Sequence, residues 1–317
     1  MATARATSAV EISASLLHEW PLPQPDEDGD KEDRGRVLCI GGEPQLPGAV
    51  ILAGTAALRA GAGKLQIATS RQIALAVGTA VPEARVFALP TTRGGGLGPA
   101  AAPKVAPFAN LAQCVLVGPG IVDEEAASGL VAGLLPRLAQ SAGVLVLDAG
   151  ACVIAGRARK ALQPFRGRLV VTPHAGEMAK LLGVEREQCI RDPMGVASRA
   201  ADALGAVVAM KGAETFVTTP EGEAYCYREG HVGLATSGSG DTLAGIVAGL
   251  VARGASPAQA TCWGVYLHGS AGNRLAERVG PLGFLARELL AEIPSLMAEL
   301  DPRSSRQQPC PRPSSPS

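Results

Sequence analysis

Short continuous apolar runs alternate along this chain with longer segments of helical period. Val37 to Gly42, Lys64 to Thr69, Arg85 to Leu89, Cys114 to Gly120, Val144 to Asp148, Leu169 to His174 and Ala206 to Met210 are each brief and mostly apolar, and most end on or run into glycine, proline or a polar residue. Runs of this kind read as strands buried on both faces. Between them the spacing predicts helices over Pro47 to Ala60, about Asp123 to Ala139, Gly176 to Leu182 and about Met194 to Leu204. Thr215 to Thr219 and Ala224 to Tyr227 flank Pro220-Glu-Gly222 and predict a hairpin. Three further helices fill Asp241 to Leu300. Strands without a polar face, alternating with helices, imply an α/β fold with a mainly parallel sheet covered on both sides.

In such sheets ligands bind outside the carboxyl ends of the strands. The distinctive residues fall there: Gly41-Gly42, Gly118-Pro-Gly120, Asp148, His174 and Lys211-Gly212. The most informative stretch is His231 to Leu250, where Gly233, Gly238 and Gly240 lead into an apolar helix of small residues. Glycine lets a ligand approach the main chain, and a helix amino terminus supplies unpaired N–H groups and a positive dipole end, so the junction suits an anion. Asp241 at that junction would repel a phosphate. It is either an N-cap or a general base held beside a phosphate cradle, and the three preceding glycines with the long helix favour the base. The spacing is neither Gly-x-Gly-x-x-Gly nor a Walker loop.

Other positions carry paired readings. His174, in Thr172-Pro-His-Ala-Gly-Glu177, either completes a helix start or is aimed into a site by Pro173. Asp148 either caps a turn or holds Mg²⁺ through water. Gly118-Pro-Gly120 is a tight turn or a place of close backbone approach. Lys211-Gly-Ala-Glu-Thr215 is an ordinary strand turn or a nucleotide wall with Lys211 near phosphate. His231 and His268 read as structural.

Composition narrows the partners. The 317 residues are 47% hydrophobic but only 3% aromatic, so the core must be closely packed Ala, Val, Leu and Gly. The formal net charge of zero gives no reason to expect nucleic acid or an anionic membrane. No apolar run reaches the roughly 18 residues of a spanning helix, and Met1 to Glu19 lacks the apolar centre of a signal peptide. The seven cysteines, at 39, 114, 152, 189, 226, 262 and 310, are scattered and read as reduced core residues of a cytoplasmic protein. The four histidines lack metal-ligand spacing. Residues 1–34 read as a flexible arm and linker, 35–300 as one domain, and the Pro/Ser/Arg-rich 301–317 as a disordered tail.

Thr172-Pro-His-Ala-Gly-Glu177, Lys211-Gly-Ala-Glu-Thr215 and Ala235-Thr-Ser-Gly-Ser-Gly-Asp-Thr-Leu-Ala-Gly245, in this order, resemble the ADP-dependent NAD(P)H-hydrate dehydratases of the ribokinase-like superfamily. Gly41-Gly42 followed by Leu46-Pro-Gly-Ala49, and Leu267-His-Gly-Ser-Ala-Gly272, fit as well. The Gly-x-Gly-Asp element indicates only the superfamily, whereas Thr-Pro-His-x-Gly-Glu singles out the dehydratases. The resemblance implies a three-layer α/β/α sandwich and the repair of hydrated nicotinamide cofactor. It implies that Ala49, Gly120, His174 and Asp241 contact the hydrate. Lys211, Gly212, Ala213, Glu214 and Thr215, with Gly238 and Gly240, would hold the adenine nucleotide, ADP or ATP, accompanied by Mg²⁺. It further implies a homo-oligomer, a tetramer, and a separate epimerase, since about 34 residues before the domain are too few for one. One departure stands out: Asp30-Lys-Glu-Asp-Arg-Gly35 replaces the His-Lys-Gly usual in the family. A true small-molecule kinase of a vitamin precursor would share the glycine loop and Asp241 but keep its phosphorylated product.

Overall fold

A computed structural model describes residues 8–25 and 28–301. The first elements are β1 (Val10–Glu11), α1 (Ala14–Glu19), β2 (Arg36–Ile40), α2 (Pro47–Arg59), β3 (Lys64–Ser70), α3 (Ala74–Ala80), β4 (Ala84–Leu89) and α4 (Ala102–Ala109). The middle holds β5 (Cys114–Val117), α5 (Glu124–Leu138), β6 (Val144–Leu147), α6 (Gly150–Arg157), α7 (Arg159–Leu162), β7 (Leu169–Val171), α8 (Ala175–Leu182), α9 (Arg186–Arg191) and α10 (Pro193–Leu204). The chain continues through β8 (Val207–Met210), β9 (Thr215–Thr218), β10 (Ala224–Tyr227), α11 (Ser239–Ala252), α12 (Pro257–Arg278) and α13 (Ala286–Glu299).

All ten strands form one sheet in the order β1-β10-β9-β8-β7-β6-β5-β2-β3-β4. Pairing is parallel except on the two sides of β9, where the expected hairpin lies. Alternate residues of β2 show why its run is continuous: Val37 and Cys39 enter the core under α11 and α12, while Leu38 and Ile40 enter the core under α5 and α6. The three layers expected from the pattern are therefore present.

The shortage of aromatics is answered by small residues. A Cβ on Gly245 of α11 would lie 2.1 Å from the carbonyl oxygen of Ala53 in α2, and one on Gly249 would lie 2.4 Å from that of Ala57. The two helices thus meet backbone to backbone along the middle and carboxyl half of α11. The cysteines at 39, 114, 152, 189, 226 and 262 are free and buried, as the pattern predicts.

The expected arm is different over residues 10–24. β1 adds a parallel strand beside β10, with the Ile12 amide donating to the carbonyl of Cys226 at 2.8 Å. Leu17 is completely buried. The Trp263 indole N–H donates to the Trp20 carbonyl at 2.8 Å, and the Gln259 amide donates to the carbonyls of Trp20 and Pro21. This segment is held by buried apolar surface and by donors from α12, so it belongs to the domain. The expected disorder after Asp301 lies outside the described residues. No described helix is long and apolar enough to cross a membrane.

Candidate active site

The order of the strands reverses between β2 and β5, and their carboxyl ends open a crevice there. Gly42 N–H donates to the Pro119 carbonyl at 2.8 Å and Glu43 N–H to the Gly120 carbonyl at 3.0 Å, so the two loops are bound to each other. A Cβ on Gly120 would lie 2.6 Å from the Leu46 carbonyl and 3.0 Å from the Ala49 methyl. Ala49, at the start of α2, and Gly120 are thus brought together as expected.

Across the crevice stands the amino end of α11. Gly238 is its N-cap, with φ of +88°, and a Cβ there would strike Leu52 at 2.4 Å. Ser239, Gly240 and Asp241 form the first turn, so Asp241 is not the cap, and the capping alternative is set aside. A Cβ on Gly240 would come 3.2 Å from Lys211 Nζ. An ammonium and the free N–H groups of a helix start therefore face one space, the arrangement that binds a phosphate.

Lys211 is held there by Asp148, which is 2% exposed. Lys211 Nζ and Thr172 Oγ1 both donate to Asp148 Oδ1, at 3.0 and 2.6 Å. Burial works against the ammonium, but Asp148 and Glu177 outweigh it and keep Lys211 protonated above the usual range. Asp148 therefore acts as an anchor for Lys211. Asp241 has the opposite shift. Burial, then the charge of Asp148, push its carboxyl up to about 7; Lys211 opposes and Glu177 adds to the rise. Burial, and then the charge of Asp241, push the Cys39 thiol of β2 up.

The helix-start reading of His174 is met. His174 is the N-cap of α8: its Nδ1 accepts from the amides of Gly176 and Glu177 at 3.0 and 3.3 Å, and the His174 N–H donates to Glu177 Oε2 at 2.8 Å. Its ring, 59% exposed, nevertheless lines the cavities on both sides of it. Ala149, following Asp148, has φ of +48°, the sole non-glycine in that region among the described residues. Such a conformation costs about 1–3 kcal/mol and is held here by the β5–β6 ladder on one side and α6 on the other.

A cavity of about 630 Å³ opens beside Gly240, with walls from the β8–β9 turn (Lys211, Gly212, Ala213, Thr215), the loop before α11 and one face of α12. Glu214 instead faces a neighbouring cavity of about 510 Å³ that shares Lys211, Gly212 and Ala213. Gly238 does not line the larger cavity; it shapes the loop that does. His231 and His268, read from sequence as structural, are both in its wall. His231 Nδ1 accepts from the Gly233 amide at 3.0 Å, so it also has the structural task. The signal for His268 is the His-Gly-Ser-Ala-Gly run, whose glycines permit close packing: a Cβ on Gly269 would meet the Tyr227 ring at 2.1 Å and one on Gly272 the Leu234 side chain at 2.6 Å.

Residues 37–295 match the family model described as NAD(P)H-hydrate dehydratase. The chain belongs to the NAD(P)H-hydrate dehydratase family. It is 44% identical over 292 residues to the ADP-dependent (S)-NAD(P)H-hydrate dehydratase of Xanthomonas campestris, covering 91% of this chain and 96% of that protein. It is 31% identical over 288 residues to the bifunctional NAD(P)H-hydrate repair enzyme of Escherichia coli, covering 90% of this chain but 52% of that one. The chain thus spans about half the length of the bifunctional family members it matches. The crystal structure of the ADP/ATP-dependent NAD(P)H-hydrate dehydratase of Bacillus subtilis, co-crystallised with ATP and Mg²⁺, superimposes with a TM-score of 0.78 at 25% identity, covering 93% of this chain and all of that one. Of the residues named above, Lys211, Gly212, Ala213, Thr215, His174 and Gly240 line the cavity of about 630 Å³, while Ala49 and Gly120 meet at the loops after β2 and β5.

Proposed function

We propose that this chain dehydrates the S-form of hydrated NADH or NADPH back to the reduced cofactor, consuming ADP and releasing AMP and phosphate. One observation carries the reading: a carboxyl shifted to about 7 stands in the first turn of α11, beside an ammonium and a cavity of nucleotide size. A base works best when its pKa lies near the working pH. Asp241 takes the proton from the ring hydroxyl of the hydrate, seated against Ala49, Gly120 and His174. That oxygen attacks the terminal phosphorus of ADP, and the bond to AMP breaks. Lys211 and the amides of the first turn, with Gly240 leaving room, stabilise the charge on the transferring phosphoryl. Phosphate then leaves with the electrons of the ring C–O bond as the ring nitrogen's lone pair forms an iminium, and loss of a proton from the adjacent ring carbon to solvent restores NAD(P)H.

The nucleotide fits the residues present, since the Gly240 cradle would be filled by a single Cβ. Mg²⁺ fits differently. No group of three or more potential ligand side chains exists among the described residues, and Asp148 is engaged by Lys211 and Thr172. Mg²⁺ commonly keeps water and nucleotide phosphates as ligands, and it would enter with ADP or ATP on those terms. A cytoplasmic setting, a homo-oligomer and a separate epimerase that supplies the S-form belong to the same proposal. The test is incubation with NADH-hydrate, Mg²⁺ and ADP. The expected result is return of the reduced-nicotinamide absorbance with phosphate in equal amount. A stable phosphorylated product with no return of absorbance would overturn the reading and favour a small-molecule kinase.

A further inference from the structure

The Leu267-His-Gly-Ser-Ala-Gly272 stretch contributes a residue to the nucleotide cavity that the mechanism above does not use. His268 Nε2 lies 2.8 Å from the Oγ of Ser239, the first residue of α11 and the immediate neighbour of Gly240. Ser239 is 4% exposed, so its hydroxyl meets little besides this ring and the cavity. Burial pushes the imidazole down to about 4, against a main-chain contact with Ser239, and the Lys211 charge lowers it further; the ring is neutral at working pH.

A neutral imidazole has two tautomers, and they present opposite faces of Ser239 to a ligand. With the proton on Nδ1, Nε2 accepts the hydroxyl proton and leaves serine lone pairs facing the phosphate. With the proton on Nε2, the ring donates to Oγ and the hydroxyl proton is free to point at an anion. An O–H donated to an ionised oxygen is about twice as strong as a neutral bond. We propose that His268 is a positioning residue of the phosphate cradle: as the Nε2–H tautomer it donates to Ser239 Oγ and turns the serine hydroxyl onto a phosphate oxygen of the bound nucleotide. No proton is gained or lost; the ring exchanges one neutral tautomer for another. The inference rests on the assignment of this cavity to an adenine nucleotide.

The test is ¹⁵N NMR of the histidine rings in the full wild-type chain, with His268 assigned through correlations to its own backbone, before and after ADP with Mg²⁺. With ADP bound, Nε2 should show the protonated and Nδ1 the unprotonated shift; the reverse pattern overturns the proposal, and the wild-type spectrum needs no variant to fold. In steady state, His268→Leu should raise KM for ADP about ten-fold, the worth of one charge-assisted bond. It should move kcat and KM for the hydrate far less. His268→Gln, whose amide can place an N–H near Nε2, should recover most of the loss. Ser239→Ala should match His268→Leu, and the double variant should be no worse than either. Full additivity, or no rescue by glutamine, would reduce His268 to packing. If ADP fails to raise the melting temperature of the wild type, the cavity assignment itself falls; if it does raise it while the tautomer result fails, only this inference falls.

Discussion

The two walls of the crevice are built on opposite terms. On the β2–β5 side the close contacts are between main chains: a Cβ on Gly118, where φ is +135°, would lie 1.9 Å from the Asp148 carbonyl, and one on Gly41 would lie 2.1 Å from the Pro119 carbonyl. On the α11 side the nearest atom to a Cβ on Gly240 is the tip of Lys211, and a cavity of about 630 Å³ lies beyond. The first wall is rigid because nothing in it can move without moving a strand end. The second leaves room for a ligand and offers it charges. Gly41 and Gly118 in the first wall, like Gly238 at the N-cap of α11, therefore serve the fold, whereas Gly240 leaves open space beside the cavity, although all occur in glycine-rich loops of similar appearance.

The largest expected effect is at Asp241, in the first turn of α11. Asp241→Asn should lower kcat by about 10²–10⁴, the usual worth of a positioned base. The variant should keep its ADP-induced rise in melting temperature, so loss of both together would merge the two roles that the walls separate. Next, Gly118→Ala should cost about 3 kcal/mol or more, because the strained φ and the carbonyl contact leave no relaxed alternative. A fall in melting temperature of about 6–12 °C is the matching readout. Gly240→Val should cost about 1–3 kcal/mol of nucleotide binding, roughly 5–150-fold in Kd, with the melting temperature of the free protein nearly unchanged. Equal damage to fold and binding at both glycines would erase the distinction.

The pH dependence is a smaller effect. Asp241 is raised from 3.8 to about 7, so the fold favours its protonated form. That contribution is fully present below pH 3.8 and lost as pH rises through about 7. Between pH 5 and 8 the wild type should therefore lose about 1–2 kcal/mol of stability relative to Asp241→Asn, after allowance for partial solvent screening. Over the same interval kcat/KM should rise with pH and level above about 7, because the base must be ionised. Stability and activity moving in parallel with pH would contradict the assignment.

The strands, the hairpin and the three final helices were legible because buried parallel strands are continuously apolar and end on distinctive residues. Ala74–Ala80 and Gly150–Arg157 were not, since Ala- and Gly-rich helices carry little periodic signal. The strand Val10–Glu11 is two residues long and pairs with Tyr225 and Cys226, far along the chain. The acidic, proline-rich run after it looked like a linker, and no local pattern announces a partner so distant. At the site, Gly240, Asp241 and the Lys211 strand end could be placed by glycine spacing and helix position. The anchoring of Lys211 by Asp148 spans 63 residues of sequence and could not be seen, which left Asp148 between a cap and a metal holder. His268 was missed for a related reason: one histidine on an apolar helix has no partner visible until Ser239 is folded against it.

The most direct test of transfer across the crevice follows a single oxygen. NADH-hydrate labelled with ¹⁸O in its ring hydroxyl is turned over with ADP and Mg²⁺, and the products are read by mass spectrometry. Phosphoryl transfer to that hydroxyl through Asp241, followed by elimination, carries the label into inorganic phosphate. Label recovered in water, with unlabelled phosphate, would mean that the hydroxyl left directly and that the two walls do not join their ligands.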